Sequence, residues 1–370
     1  MPHSRLIRAS FTGLPAELRF CLQLATIRWV LRDRPTSFVT PNGEHRDLRM
    51  NPSKVLFLHG LEPGLVDRVI SSAPADFHIV TMHGDTPLDR QMEAAETVDF
   101  IMVCRTPVPR ELFHAARNVR LVQLLTAGYE HVDVGLLRER GIHCANNGGA
   151  NSGAVAEHSV LLMLALYRQL LQADQSVRAG TWNAVVTGTN TFELANKVVG
   201  LVGFGNIGQQ VAKRVQAFDA TVQYFTRTRL NAERERALQV KYVPLDELIA
   251  TSDVVSLHAP LTPETRNIVS RQRIQAMKSG AIVVNTSRGA MIDEAALFDA
   301  LSSGHIAGAG LDVFAHEPAT VDNPLFTLPN VITSPHSAGT TADTWGRRGT
   351  FAFANMRRVL NGSVPESIIL

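Results

Sequence analysis

Arg288, Glu317 and His336 are the residue types that anion and proton chemistry needs, and each lies in a turn-forming context after an apolar stretch. Those contexts read Asn285-Thr286-Ser287-Arg288-Gly289, Phe314-Ala315-His316-Glu317-Pro318 and Ser334-Pro335-His336-Ser337-Ala338-Gly339. An arginine is permanently charged and offers a planar fork that matches a carboxylate. A histidine exchanges its proton near neutrality, so it serves as general acid or base. A carboxylate bonded to that imidazole stabilises the imidazolium form. Singly, these residues also fit an Arg-Glu surface pair and a core histidine satisfied by a carbonyl. Together, at the tips of successive strands, they mark the rim where α/β sheets bind ligands.

A second pattern is Gly203-Phe204-Gly205-Asn206-Ile207-Gly208, which matches G-x-G-x-x-G. The motif follows an apolar strand over residues 197–202 and opens a helix through Val211, Val215 and Phe218, the placement that a dinucleotide-binding βαβ unit requires. Gly203 permits the tight turn, Gly205 lets backbone approach a pyrophosphate, and Gly208 allows close helix packing beneath free N–H groups. About 20 residues on, an NAD-selective site carries an acid for the ribose 2′-hydroxyl. Here the strand tip reads Thr226-Arg227-Thr228-Arg229 and has no carboxylate. Two arginines and two hydroxyls suit a 2′-phosphate, so NADP(H) is the expected coenzyme, with Arg227 the leading contact and NAD(H) a possible substitute.

The elements that must position these groups form two series. Short apolar strands alternate with helical patterns, first at residues 54–58, 78–82, 100–104, 121–124 and 142–145. The second series runs over 198–202, 221–225, 254–257, 281–284, 306–311 and 331–333. Such alternation specifies parallel sheets with crossover helices, hence an α/β fold with two sheets and two domains. Between the series, Asn146-Asn147-Gly148-Gly149 and Ala150-Asn151-Ser152-Gly153 end a strand and launch a long apolar helix expected over residues 154–171.

Length and composition bound the rest. The chain has 370 residues, 45% apolar and 19% charged, which describes a folded two-domain protein. Thirty-six basic against 34 acidic residues leave a net charge of +2, too little to draw nucleic acid or an anionic membrane to the whole surface. The longest apolar run, residues 160–167, is far short of the roughly 18 residues that span a bilayer. Cys21, Cys104 and Cys144 contain no Cys-x-x-Cys pair, which favours buried thiols in a reducing, cytoplasmic setting. His131, His158 and His258 do not form a ligand set, and no metal is expected. Residues 1–49 read differently, with eight arginines and four acids and a possible helix over residues 15–31. They are expected to be an accessory extension or a misplaced start ahead of Met50, their acids weakening an import-sequence reading.

From residue 54 onward the chain resembles the D-isomer-specific 2-hydroxyacid dehydrogenases, on the glycine fingerprint and the Arg288, Glu317 and His336 motifs in that order. The resemblance implies two Rossmann-like or flavodoxin-like parallel-sheet domains. Residues 50–147 and 337–370 would form a discontinuous substrate domain, and residues 148–336 an inserted NAD(P)-binding domain. It implies that Arg288 holds the carboxylate and carbonyl of a 2-oxo acid, that His336 protonates the carbonyl oxygen, and that Glu317 supports His336. It also places Asp312 on the nicotinamide carboxamide and Ala259 and Pro260 along the coenzyme, beside Asn206, Ile207, Thr226 and Thr228. Thr126, Ala127 and Gly128 match the loop whose N–H groups hold the substrate carboxylate, and Arg105 lies on the neighbouring loop. The arginine-bearing strand tip looks like the glyoxylate/hydroxypyruvate reductase branch, which implies NADPH-driven reduction of a small 2-oxo acid by a homodimer. A phosphoglycerate dehydrogenase-like enzyme and an NAD(H)-sensing corepressor-like protein are the alternatives.

Overall fold

The computed structural model describes the backbone of residues 37–39 and 45–47, and residues 52–369 apart from 183 and 185–187. The chain divides into two compact units, Met1–Ser53 and Lys54–Leu370. In the first, β1 (Ser37–Val39) and β2 (His45–Asp47) pair antiparallel, a hairpin that the sequence reading did not anticipate. The helix expected over residues 15–31, and Cys21, lie outside the described residues.

The second unit contains two sheets. The first is built from β3 (Ser53–His59), β4 (Phe77–His83), β5 (Phe100–Cys104), β6 (Leu121–Leu124) and β7 (His143–Ala145), in the order β4-β3-β5-β6-β7. This is the flavodoxin-like order, in which the chain reverses direction across the sheet between β3 and β5. The second is built from β8 (Val198–Val202), β9 (Thr221–Phe225), β10 (Val240–Tyr242), β11 (Val254–Leu257), β12 (Ala281–Asn285), β13 (Ile306–Leu311) and β14 (Val331–Thr333). Its order, β10-β9-β8-β11-β12-β13-β14, is that of a Rossmann sheet with one added edge strand, and its reversal lies between β8 and β11. All its ladders are parallel, as are those joining β3, β5, β6 and β7.

The strands are apolar throughout because both faces are covered. Along β3, Val55 and Phe57 enter one core while Leu56 and Leu58 enter the other. Along β12, Ala281 and Val283 face one core and Ile282 and Val284 the opposite one. The short β10, Val-Lys-Tyr, escaped the sequence reading because three residues carry no periodicity; only its pairing with β9 makes it a strand.

The helix expected over residues 154–171 is in fact two. Ser152–Tyr167 ends where Gln169 adopts a left-handed backbone (φ 46°), and Leu170–Arg178 follows at an angle of 59°. Among the described residues no single helix is long and apolar enough to cross a membrane.

The last helix, Ala342–Leu360, is started by a Thr341–Thr344 capping box and ended near Arg357 and Arg358, whose charges suit its negative end. It returns to the first sheet, where Trp345, Ala352, Phe353 and Met356 pack with Val55 and Phe57. Gly349 lets it press against the helix Pro63–Ile70, since a Cβ there would lie 2.0 Å from the Val69 carbonyl oxygen.

Candidate active site

The glycine turn sits at the reversal point of the seven-stranded sheet. Gly203 has φ +98°, and a side chain there would collide with the backbone of His258 and Ala259 at about 2.5 Å. Gly205 has nothing within 4 Å of a built Cβ, so its backbone is open to a ligand. The helix Asn206–Gln216 starts directly after it, and its buried Gly208, Val211, Ala212 and Val215 form one face against the sheet. A crevice beside this turn is lined by Gly203, Gly205, Thr226, Arg227, Ala259 and Pro260. Thr228 is exposed and lies outside that lining. Arg229 is occupied elsewhere. Its guanidinium holds the Glu235 carboxylate through two 2.7 Å bonds and lies over Tyr242, drawing Glu235 down to about 2.

The crevice continues past Asn206, Ile207, His258 and Ala259 toward Arg288 and the Ala127-Gly128 loop. His258 is half-buried, and desolvation pushes its imidazole down to about 3, so it is neutral; its Nδ1 has no partner among the described residues.

Arg288 follows the end of β12, where Asn285 shapes the turn. The Asn285 side chain accepts from the Ser287 N–H and donates to the Arg288 carbonyl, both near 3 Å. The guanidinium reaches across to Glu130, with Nε to Oε1 at 3.0 Å and Nη2 to Oε2 at 3.3 Å, while Nη1 donates to the Ser287 carbonyl. Gly128 makes room for it, because a Cβ there would lie 1.7 Å from Nη2. Burial opposes ionisation of Glu130, but the Arg288 charge and hydrogen bonds outweigh it and hold the carboxyl below its ordinary value. Glu130 is a pocket residue that the sequence reading missed. Its place two residues after Gly128, in the loop matched to substrate binding, was the available signal.

His336 and Glu317 meet as expected: Nδ1 lies 2.7 Å from Glu317 Oε2. Oε1 of Glu317 accepts from the Phe314 N–H, so both carboxylate oxygens are held. Burial raises the Glu317 carboxyl and the imidazole contact lowers it; the net result is a value below the ordinary one. His336 itself has a left-handed backbone (φ 51°), sparsely populated for any residue but glycine. Asp312 imposes that turn. It is buried, its Oδ1 accepts from the Ser334 hydroxyl and the Ser337 N–H, and its Oδ2 accepts from the Ala338 N–H. His158 braces the same group through Ser334 at 2.9 Å.

From the opposite sheet, Arg105 follows β5, also in a left-handed backbone (φ 54°), and lines the pocket that contains Thr126, Ala127, Gly128, Arg288 and His336. The Thr126 hydroxyl donates to the Gly128 carbonyl, and the Asn147 N–H and Asn146 side chain take the Thr126 and Ala127 carbonyls. The N–H groups of Thr126, Ala127 and Gly128 bond to nothing among the described residues, which leaves them to an anion. Arg348, buried on the last helix, lines the same pocket. The sequence reading missed it.

Comparison with known proteins gives this geometry its relatives. The NAD binding domain of D-isomer specific 2-hydroxyacid dehydrogenases matches residues 160–338. The chain is 34% identical over 311 residues to a glyoxylate reductase of Korarchaeum cryptofilum, covering 82% of this chain and 92% of that one. It is 38% identical over 283 residues to a D-3-phosphoglycerate dehydrogenase of Mycobacterium tuberculosis, covering 76% of this chain and 53% of that one, so it spans about half of that relative. Among solved structures, an acyclic imino acid reductase in complex with NADPH and D-Arg superposes with a TM-score of 0.74 at 28% identity, covering 86% of this chain and 100% of that one. The family match and the extent of the identity together show that the chain belongs to the NAD(P)-dependent D-isomer specific 2-hydroxyacid dehydrogenase family.

Proposed function

We propose that the protein reduces a small 2-oxo acid to the D-2-hydroxy acid with NADPH, glyoxylate and hydroxypyruvate being the reference substrates. The observation that carries this reading is the meeting of Arg288, the His336–Glu317 pair and the free N–H groups of Thr126, Ala127 and Gly128 around one pocket that adjoins the glycine turn. The residues fit a dinucleotide: Gly205 is open, Gly203 admits no side chain, and the helix behind them presents unpaired N–H groups to a pyrophosphate. When bound, the coenzyme supplies a hydride to C2 of the acid.

The chain's own groups do the rest. The loop N–H groups and the free Nη1 and Nη2 protons of Arg288 hold the carboxylate, and Arg288 keeps the carbonyl in line. Imidazolium His336 delivers its Nε2 proton to the carbonyl oxygen as charge develops there, and the bond from Nδ1 to Glu317 steadies the cation until that transfer. One hydride and one proton are added, and the imidazole is left neutral to take a proton from solvent. Asp312 fixes the His336 turn through Ser334, Ser337 and Ala338, and a carboxylate that accepts three bonds keeps a lone pair for the nicotinamide carboxamide.

Residues 50–147 with 337–370 form the substrate-binding part and 148–336 the coenzyme-binding part, a division supported by the return of the last helix to the first sheet. Thr226 and Arg227 favour NADPH because they line the adenosine end of the crevice without a carboxylate. The exposed Leu161, Leu170, Leu171 and Val177 on consecutive helices support a homodimer through that face. Light scattering that finds a monomer at working concentration would reject it. The reaction is tested by absorbance at 340 nm with NADPH or NADH against glyoxylate, hydroxypyruvate, pyruvate and phosphohydroxypyruvate. Tight coenzyme binding without turnover of any acid would overturn the enzymatic reading in favour of a nucleotide sensor.

A further inference from the structure

Arg348 stands out among the cations of the pocket. It is 4% exposed, and its Nε is buried with no partner among the described residues. Its Nη2 donates to the Gly339 carbonyl, and its guanidinium lies 4.5 Å over the Trp345 ring. Burial pulls its guanidinium below the ordinary arginine value, the Cys104 thiol counters this in part, and the Arg105 charge presses the same way as burial. No carboxylate pairs with Arg105 or Arg348 among the described residues, although both line the pocket that holds Arg288 and His336. A buried cation without a counter-charge is costly unless something else supplies one.

The acids nearby are already committed. Glu130 is taken by Arg288, Glu317 by His336 and the Phe314 N–H, and Asp312 by a hydroxyl and two N–H groups. The substrate's own carboxylate has its partners in Arg288 and the Thr126, Ala127 and Gly128 N–H groups. Two unpaired arginines therefore remain after that group is bound.

We propose that Arg105 and Arg348 form a second anion subsite, so that the preferred substrate is a 2-oxo acid bearing a second anionic group on the side chain beyond C2. This rests on the 2-oxo acid reductase reading and narrows it. Planar, bidentate guanidinium groups suit a carboxylate or a phosphate equally, and the two are separable by assay.

The test compares kcat/KM with saturating NADPH for hydroxypyruvate, oxaloacetate and 3-phosphohydroxypyruvate, in the wild type and in Arg348→Met and Arg105→Gln. The wild type is expected to favour one of the two doubly charged acids over hydroxypyruvate by at least tenfold. Oxaloacetate winning identifies a carboxylate, phosphohydroxypyruvate a phosphate. Each variant is expected to lower that ratio at least tenfold. The ratio is the readout because Arg348 also holds the Gly339 carbonyl, and loss of that bond alone would slow all acids alike. Arg105 is exposed, so its variant retains the fold if Arg348→Met does not. An equal loss for all acids, an unchanged ratio in both variants, or a wild type that prefers hydroxypyruvate would overturn the subsite. Failure of every acid in the wild type would instead overturn the reductase reading on which it rests.

Discussion

The two rims that face each other across the pocket are built differently. On the seven-stranded sheet the turns that carry the candidate side chains are held from within that rim: Asn285 shapes the Arg288 turn, the Phe314 N–H holds Glu317, and Asp312 pins the His336 turn with three bonds. On the five-stranded side, Arg105 and Glu130 project from loops, and Arg348 is lent by a helix more than 200 residues later in the chain. A rim braced within itself can keep reacting atoms in register through many turnovers. A rim assembled from separate segments can change its charges without disturbing that register. On the proposed reading, the comparison assigns the chemistry to one side of this pocket and substrate choice to the other.

The sharpest way to break the comparison is to remove the acid from the braced rim. His336→Ala should lower kcat by about 10²- to 10⁴-fold, the usual contribution of a general acid. NADPH affinity by fluorescence titration should stay within a factor of about two, since the glycine turn is untouched. Turnover at the wild-type rate would take the chemistry off that rim. Next in size is coenzyme choice. Arg227→Asp should move the NADPH/NADH ratio of kcat/KM by about tenfold or more toward NADH, one charge-assisted bond to a phosphate being worth roughly that much. An unchanged ratio would make Arg227 a solvated turn residue, as Arg229 has proved to be a structural one.

A smaller effect sharpens the division across the pocket. Glu130→Gln removes the charge that holds Arg288 from the opposite loop, and should reduce kcat/KM for the acid about tenfold, mainly through KM, while KM for NADPH is unchanged. A fall in kcat alone would place Glu130 with the reacting groups instead. The smallest effect is on stability. Because Glu317 is held below its ordinary value in the folded chain, its contribution is full above the ordinary carboxylate range. It is lost as pH falls through the lowered folded value. Thermal melts from pH 7 to pH 3 should therefore decline less steeply in Glu317→Gln than in the wild type, and parallel curves would show that the pair does not contribute.

Much of this was legible in the residue order because it is local. A strand, a G-x-G-x-x-G turn and a following helix are specified within 20 residues, by apolar alternation and by positions where only glycine fits. The His336–Glu317 pair was legible through its motifs. The break at Gln169 was not, because nothing in the leucine-rich run distinguishes one long helix from two. Nor was the role of Arg229, whose partner Glu235 lies on the helix after the turn.

By itself the sequence determined the fold class, the coenzyme turn and the three short motifs that carry the residues proposed to react, since each depends on backbone conformation and spacing within its own segment. Only the tertiary structure decided which charges share the pocket. Glu130 meets Arg288 across 158 residues, and Arg348 comes to lie against Cys104 and near Arg105 because the last helix packs on the first sheet. Electrostatic partnership depends on distance in space, and no local pattern records a distance that arises from packing two sheets and a returning helix together.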